Sequence, residues 1–150
     1  MGSGMSEHRA TVEWQLAGEF RYESYSRCHV MRFDDIVVPG TAAPGNVPAK
    51  TAGPGVDPEQ AFVASLSACH MLWFLHLACK AGWTVERYTD DAVGILDKTW
   101  MSRVTLRPAV SFSGKRPTDE EHAALHHKAH EKCFIANSVK TQVIVEPCFK

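Results

Sequence analysis

The run from Pro58 to Ala81 constrains this chain more than any other feature. Asp57-Pro58-Glu59 supplies a cap, a proline for the first helical position and an acid for the first turn, the order in which helices begin. Small and large apolar residues continue to Ala81-Gly82, where the glycine is a natural stop. A helix apolar nearly all round is expected at the centre of a fold, buried on most sides. His70, His76 and Lys80 interrupt it, which argues for a core helix over a membrane span.

At 150 residues, with 45% apolar and 22% charged side chains, the chain has room for one domain around that helix, read as residues 5–150. Such a chain buries roughly two-thirds of its unfolded surface without disulfide staples. Met1-Gly2-Ser3-Gly4 ahead of Met5 reads as an expression scar. Lys and Arg number 16 against 17 Asp and Glu, so the formal charge of -1 offers no field to a polyanion, and nucleic acid is not an expected partner. The five cysteines, Cys28, Cys69, Cys79, Cys133 and Cys148, are odd in number and show no CxxC spacing. That disfavours a secreted disulfide framework and a tight zinc site alike. With no charged-then-apolar leader, a reduced, cytoplasmic setting away from the membrane is expected.

Ahead of the helix, His8 to Leu16 and Phe20 to Tyr25 read as a hairpin across Gly18-Glu19, followed by strand-like Cys28 to Phe33 and Ile36 to Val38. Residues 39–57 carry four prolines and four glycines and read as a loop. Beyond the helix, Trp83 to Ile95 and Ser102 to Ser113 look like two long antiparallel strands. Thr118 then caps a second helix, with Glu121 completing a capping box, and that helix should end near Cys133. Ser138 to Val145 alternates as a closing strand. Strands, helix, strands, helix, strand is an α+β order.

Cys69 lies in Ser67-Ala68-Cys69-His70, about three turns into the helix. On position alone it is a small buried hydrophobe. To react it must become a thiolate, and at an unperturbed pKa of about 8.5 only a few per cent is ionised at neutral pH, so a nearby cation is the thing to seek. Arg27, in Tyr25-Ser26-Arg27-Cys28-His29, is a candidate, although an arginine on a strand is ordinarily a solvated edge charge. Glu59 is most simply a first-turn acid complementing the helix dipole. His122, His126 and His130 share one face of the second helix, but a row spanning about 12 Å cannot bring all three to one ion at about 2.1 Å. A solvated or dimer-facing polar stripe is the expectation. Cys133 closes that helix, and two cysteines on separate core helices can meet across the interior.

Asp57-Pro58-Glu59-Gln60, Ser67-Ala68-Cys69-His70, Ala129-His130-Glu131-Lys132-Cys133 and Ile135-Ala136-Asn137-Ser138 with a closing Val-rich strand resemble the OsmC/Ohr family of thiol peroxidases, over about Tyr22 to Pro147. The resemblance implies an intertwined homodimer of α+β subunits, each with strongly curved antiparallel sheets around a long central helix, that reduces organic hydroperoxides. It makes Cys69 the peroxidatic and Cys133 the resolving cysteine, and Glu59 the acid that orients an arginine. Arg27 matches that arginine, with Arg21 and Arg32 as alternatives. It further implies re-reduction by a lipoyl-type or other dithiol, without metal, flavin or other cofactor.

One deduction is independent of the family. On one straight helix Glu59 and Cys69 lie about 15 Å apart, so they cannot serve one small site in a single chain: either the helix breaks or a partner subunit supplies Glu59, and the second is expected. Phe62, Leu66, Trp73, Phe74 and Phe134 are expected either to line an apolar substrate cavity or to form plain core. Two other functions compete: a non-catalytic redox-sensing or small-molecule-binding member of the same fold, and a metal-binding protein using the histidine stripe.

Overall fold

The computed structural model describes residues 4–149. Of the four residues read as a scar, Met1, Gly2 and Ser3 lie outside the described residues. The chain divides into two compact units, one up to Pro58 and one from Glu59.

The N-terminal unit is a three-stranded antiparallel meander of β1 (Thr11–Glu13), β2 (His29–Phe33) and β3 (Ile36–Gly40). The expected hairpin does not form. Phe20 to Tyr25 is instead a turn, closed by the N–H groups of Ser24 and Tyr25 on the Arg21 carbonyl at 2.9 Å each. Local bonds and the packing of Trp14, Phe20 and Tyr25 satisfy this stretch, so β1 takes β2 as its partner, with Thr11 opposite Arg32. Residues 39–57 are more ordered than a loop: Gly40 bridges Val56, and Ala49–Thr51 makes a 3₁₀ turn.

The second unit is built on α1 (Pro58–Lys80), which stops before Gly82 at φ 87°. Leu66, His70, Trp73, Phe74 and Ala78 form its buried face, whereas Leu72 is 52% exposed. Burial on most sides is therefore not reached within one chain. The two long strands expected after the helix are each broken in two. β4 (Thr84–Asp90) pairs with β7 (Pro108–Ser113), and β5 (Val93–Asp97) pairs with β6 (Trp100–Leu106), in separate sheets. Asp90 ties the corner, accepting the Arg107 N–H at 2.6 Å and the Ser67 hydroxyl at 2.5 Å.

Thr118 caps α2 (Asp119–Lys132) by accepting the Glu121 N–H at 3.2 Å, as the sequence predicts. After a 3₁₀ turn at Ala136–Ser138, β8 (Gln142–Val145) joins β6 in parallel, so this sheet is mixed rather than wholly antiparallel. Two apolar clusters result. Leu66, Val104 and Leu106 hold α1 to the mixed sheet, and Trp73, Phe74, Ala78 and Ala129 hold α1 to α2 and the β4–β7 ribbon. The element order is α+β.

Candidate active site

The second cluster brings two cysteines together. Cys69 packs against it from α1, and Ala129 places the last turn of α2 beside it. Cys133 is the C-cap residue, in extended conformation, its N–H on the His130 carbonyl at 3.3 Å. The following turn folds back over it. Asn137 N–H bonds to the Cys133 carbonyl at 3.0 Å, and the Ala136 N–H points at Cys133 Sγ at 3.4 Å.

Cys133 is 1% exposed, whereas Cys69 is half-buried. Burial, with the neighbouring Cys69 adding to it, pushes the Cys133 thiol up to about 11, against the pull of the backbone N–H bonds. At neutral pH Cys133 keeps its proton.

The histidines overturn the expected solvated stripe. His122 and His126 are 2% exposed, and His70 is 1% exposed. Spacing explains this: His122, His126, Ala129 and Cys133 recur along a single face of α2, the face that meets α1. Phe74 stacks on His126 at 4.2 Å, while Phe112 and Phe149 meet His122 edge-on at 5.3 and 5.0 Å. Burial drives His70 down to about 4 and His126 to about 3, so both are neutral imidazoles. Among the described residues no group of three or more His, Cys, Asp or Glu is arranged to hold a metal ion. His70 is buried because it shares a face of α1 with Leu66, Trp73, Phe74 and Ala78.

Glu59 shares the unbroken α1 with Cys69, ten residues and about 15 Å away, and its Oε2 is buried without a hydrogen-bond partner. In the N-terminal unit the three candidate arginines differ sharply. Arg21 pairs with Glu19 at 2.9 Å and Arg32 with Glu13 at 3.0 Å, both on the surface. Arg27 is 8% exposed, donates from Nη1 to the carbonyls of Tyr22 and Tyr25 at 2.8 Å each, and leaves Nε buried and unpartnered.

Leu66 and Phe74 are fully buried and belong to the core, and so does Trp73, against which Phe134 packs edge-on at 5.5 Å beside Cys133. Of the residues expected around a substrate cavity, Phe62 borders an open one, of about 330 Å³ near Trp100. Cys28, Cys79 and Cys148 are exposed and free.

A family model described as OsmC-like protein matches residues 50–147. A search of curated proteins gives no match. Among solved structures, an OsmC-like protein of unknown function from Vibrio cholerae superposes with a TM-score of 0.91 at 46% identity, covering 96% of this chain and 100% of that one. An organic hydroperoxide resistance protein from Elizabethkingia anophelis gives a TM-score of 0.69 at 18% identity, covering 96% of this chain and 95% of that one. The organic hydroperoxide resistance protein OhrB of Bacillus subtilis gives 0.63 at 21% identity, with 93% and 98% covered. The last two share the fold.

Proposed function

The chain belongs to the OsmC-like protein family, and on that footing we propose that it is a cysteine-based peroxidase, reducing organic hydroperoxides through Cys69 and Cys133. The observation that carries this reading is the proximity of two free thiols, Cys69 on α1 and Cys133 at the end of α2, one half-buried and the other sealed from solvent. The Cys69 thiolate attacks one peroxide oxygen, the O–O bond breaks, and that oxygen stays on sulfur as a sulfenic acid. The alkoxide takes up a proton and leaves as an alcohol. Cys133 attacks the sulfenic sulfur, an S–S bond forms, and the hydroxyl departs as water with the Cys133 proton. A lipoyl-type or other dithiol then reduces the bond through a mixed disulfide and is itself oxidised to a disulfide. The cycle as written uses no metal or flavin.

Arg27 is the proposed cation: a guanidinium stays charged at any working pH and its fork holds a carboxylate and peroxide oxygens together. Glu59, with its unpartnered Oε2, is the proposed acid that orients it. In the proposed homodimer the partner supplies Glu59 to each Cys69, since about 15 Å of unbroken helix keeps the two apart in one chain. Leu72, 52% exposed on a helix buried along only one face, supports a partner there. A reduced, cytoplasmic setting, in one domain over residues 5–150, completes the reading.

Titrating the reduced protein with cumene hydroperoxide tests it, with mass spectrometry locating the oxidised cysteines. One equivalent is expected to produce the Cys69–Cys133 bond. First oxidation at Cys28, Cys79 or Cys148, or thiol loss without that bond, rejects the proposal. Equal rates with hydrogen peroxide would remove the preference for organic substrates.

A further inference from the structure

The second unit holds a cavity of about 320 Å³ that neither Cys69 nor Cys133 borders. α2 forms one wall through Ala123, His126 and His130, and β8 with the residues after it forms the other through Val143, Val145 and Phe149. α1 contributes no residue to this lining.

Two nitrogens of the α2 wall are buried and have no hydrogen-bond partner among the described residues: Nε2 of His126 and Nδ1 of His130, one helical turn apart. His126 is 2% exposed, and the direction of its free nitrogen follows from its other bond. Its Nδ1 faces α1, 3.0 Å from His70 Nε2. The two nitrogens of an imidazole sit on opposite edges of the ring, so Nε2 turns away from α1, towards the side on which His126 borders the cavity. A buried polar atom left unpaired is expensive, and two of them on one wall favour a ligand that supplies their partner.

The walls decide the chemistry of that ligand. The proton between His70 and His126 sits on either ring, which makes His126 Nε2 a donor in one tautomer and an acceptor in the other. A hydroxyl donates and accepts through one oxygen and meets both states. Burial holds the His126 imidazole neutral, and the lining contains no carboxylate, lysine or arginine. Its remaining histidine, His127, turns Nε2 to Glu131 at 3.0 Å on the surface. A charged ligand group would be buried here without a counter-charge at His126. A metal ion fits less well, because two imidazoles make only half of a tetrahedral set and the cavity is far larger than an ion. The valines and the Phe149 ring suit an apolar body.

We infer that this cavity takes an uncharged apolar alcohol, its hydroxyl on His126 Nε2 and His130 Nδ1 and its body against Val143, Val145 and Phe149. The inference does not rest on the peroxidase reading, since neither cysteine of the proposed cycle and none of the candidate arginines takes part.

NMR titration of the reduced full-length protein with benzyl alcohol, toluene and benzoate, followed at the histidine ring resonances, tests it. Saturable shifts at His126 and His130 with one benzyl alcohol per chain are expected. Toluene, which lacks the hydroxyl, and benzoate, which brings a charge, should each bind about tenfold or more weakly. His130→Ala should weaken benzyl alcohol by about tenfold. Should that variant fail to fold, Ala123→Leu, at an exposed helical position, fills the cavity from its α2 wall and should abolish binding in a folded protein. Toluene or benzoate binding as tightly as benzyl alcohol, the absence of saturable shifts, or indifference to Ala123→Leu overturns the inference. So does a zinc titration that shifts both histidines to completion at one equivalent, which would make the pair a metal site.

Discussion

His70 Nε2 and His126 Nδ1 stand 3.0 Å apart with their rings within 4° of parallel, so two buried imidazoles share one proton. One ring donates and the other accepts, which requires the acceptor to be neutral, and burial keeps the donor neutral as well. Burial sets them at about 4 and about 3, His130 adding to the effect on His70, and His70 and His122 to that on His126.

Stability follows from this with a definite sign. The unfolded histidines bind protons near 6.5, the folded ones only below about 4, so between these values the unfolded state holds more protons. The contribution is fully present above pH 6.5, is lost progressively as pH falls, and levels off below the folded values. For His70 the loss is on the order of 3 kcal/mol. Urea unfolding between pH 7 and pH 4 should show that decline, reduced in His126→Phe. A wild-type curve flat across this range contradicts neutral burial of the pair.

The Cys133 thiol, pushed up to about 11, sets the pace of disulfide formation in the proposed cycle. Oxidation of Cys69 removes that residue's contribution to the shift, but burial, the larger cause, remains. The attacking thiolate is therefore scarce at pH 7 and grows about tenfold per unit below the pKa. With one equivalent of hydroperoxide and a sulfenic-acid trap, the trapped fraction of Cys69 should fall steeply from pH 7 to pH 9. A pH-independent fraction means that Cys133 is not the resolving thiol.

The three arginines separate cleanly. Arg21 and Arg32 sit in exposed ion pairs, each worth about 0–1 kcal/mol, and Arg21→Ala and Arg32→Ala should leave hydroperoxide turnover within about twofold. Arg27→Lys keeps the charge but loses the fork, and turnover should drop on the order of a hundredfold. A comparable loss in Arg32→Ala would transfer the role to that residue.

Much of this arrangement is legible in the sequence where the signal is local. Pro58, Gly82 and Thr118 mark helix ends because caps and left-handed turns depend on one or two residues. The helix-born cysteines, both on α1- or α2-facing positions, meet as the two-helix argument anticipates. The failures are non-local. Nothing in Trp83 to Ile95 announces that Asp90 will bind the Arg107 N–H and split the strand, and Phe20 to Tyr25 has strand composition but spends its backbone on a turn. The histidines mislead because polarity suggests solvent, whereas their spacing with Ala129 and Cys133 marks a buried face.

Gly94 shows how closely α1 is held to the mixed sheet. A Cβ there would collide with Val63 Cγ2 from α1 and with Met101 Cε, while Val104, opposite Gly94 on β6, is fully buried. Met101 ends in a flexible thioether and can yield, but Val63 is β-branched and holds its rotamer. Gly94→Ala therefore sets two effects in opposition. Alanine gains about 0.5–1 kcal/mol from backbone entropy, whereas overpacking against a stiff neighbour costs about 1–3 kcal/mol and lifts α1 off the Leu66–Val104 contact. The steric cost should win, lowering the urea midpoint. Adding Val63→Ala removes the collision, so the double variant should lose less than the sum of the two single losses. Strict additivity, or a Gly94→Ala protein as stable as its parent, means that α1 and β5 are not in the contact described.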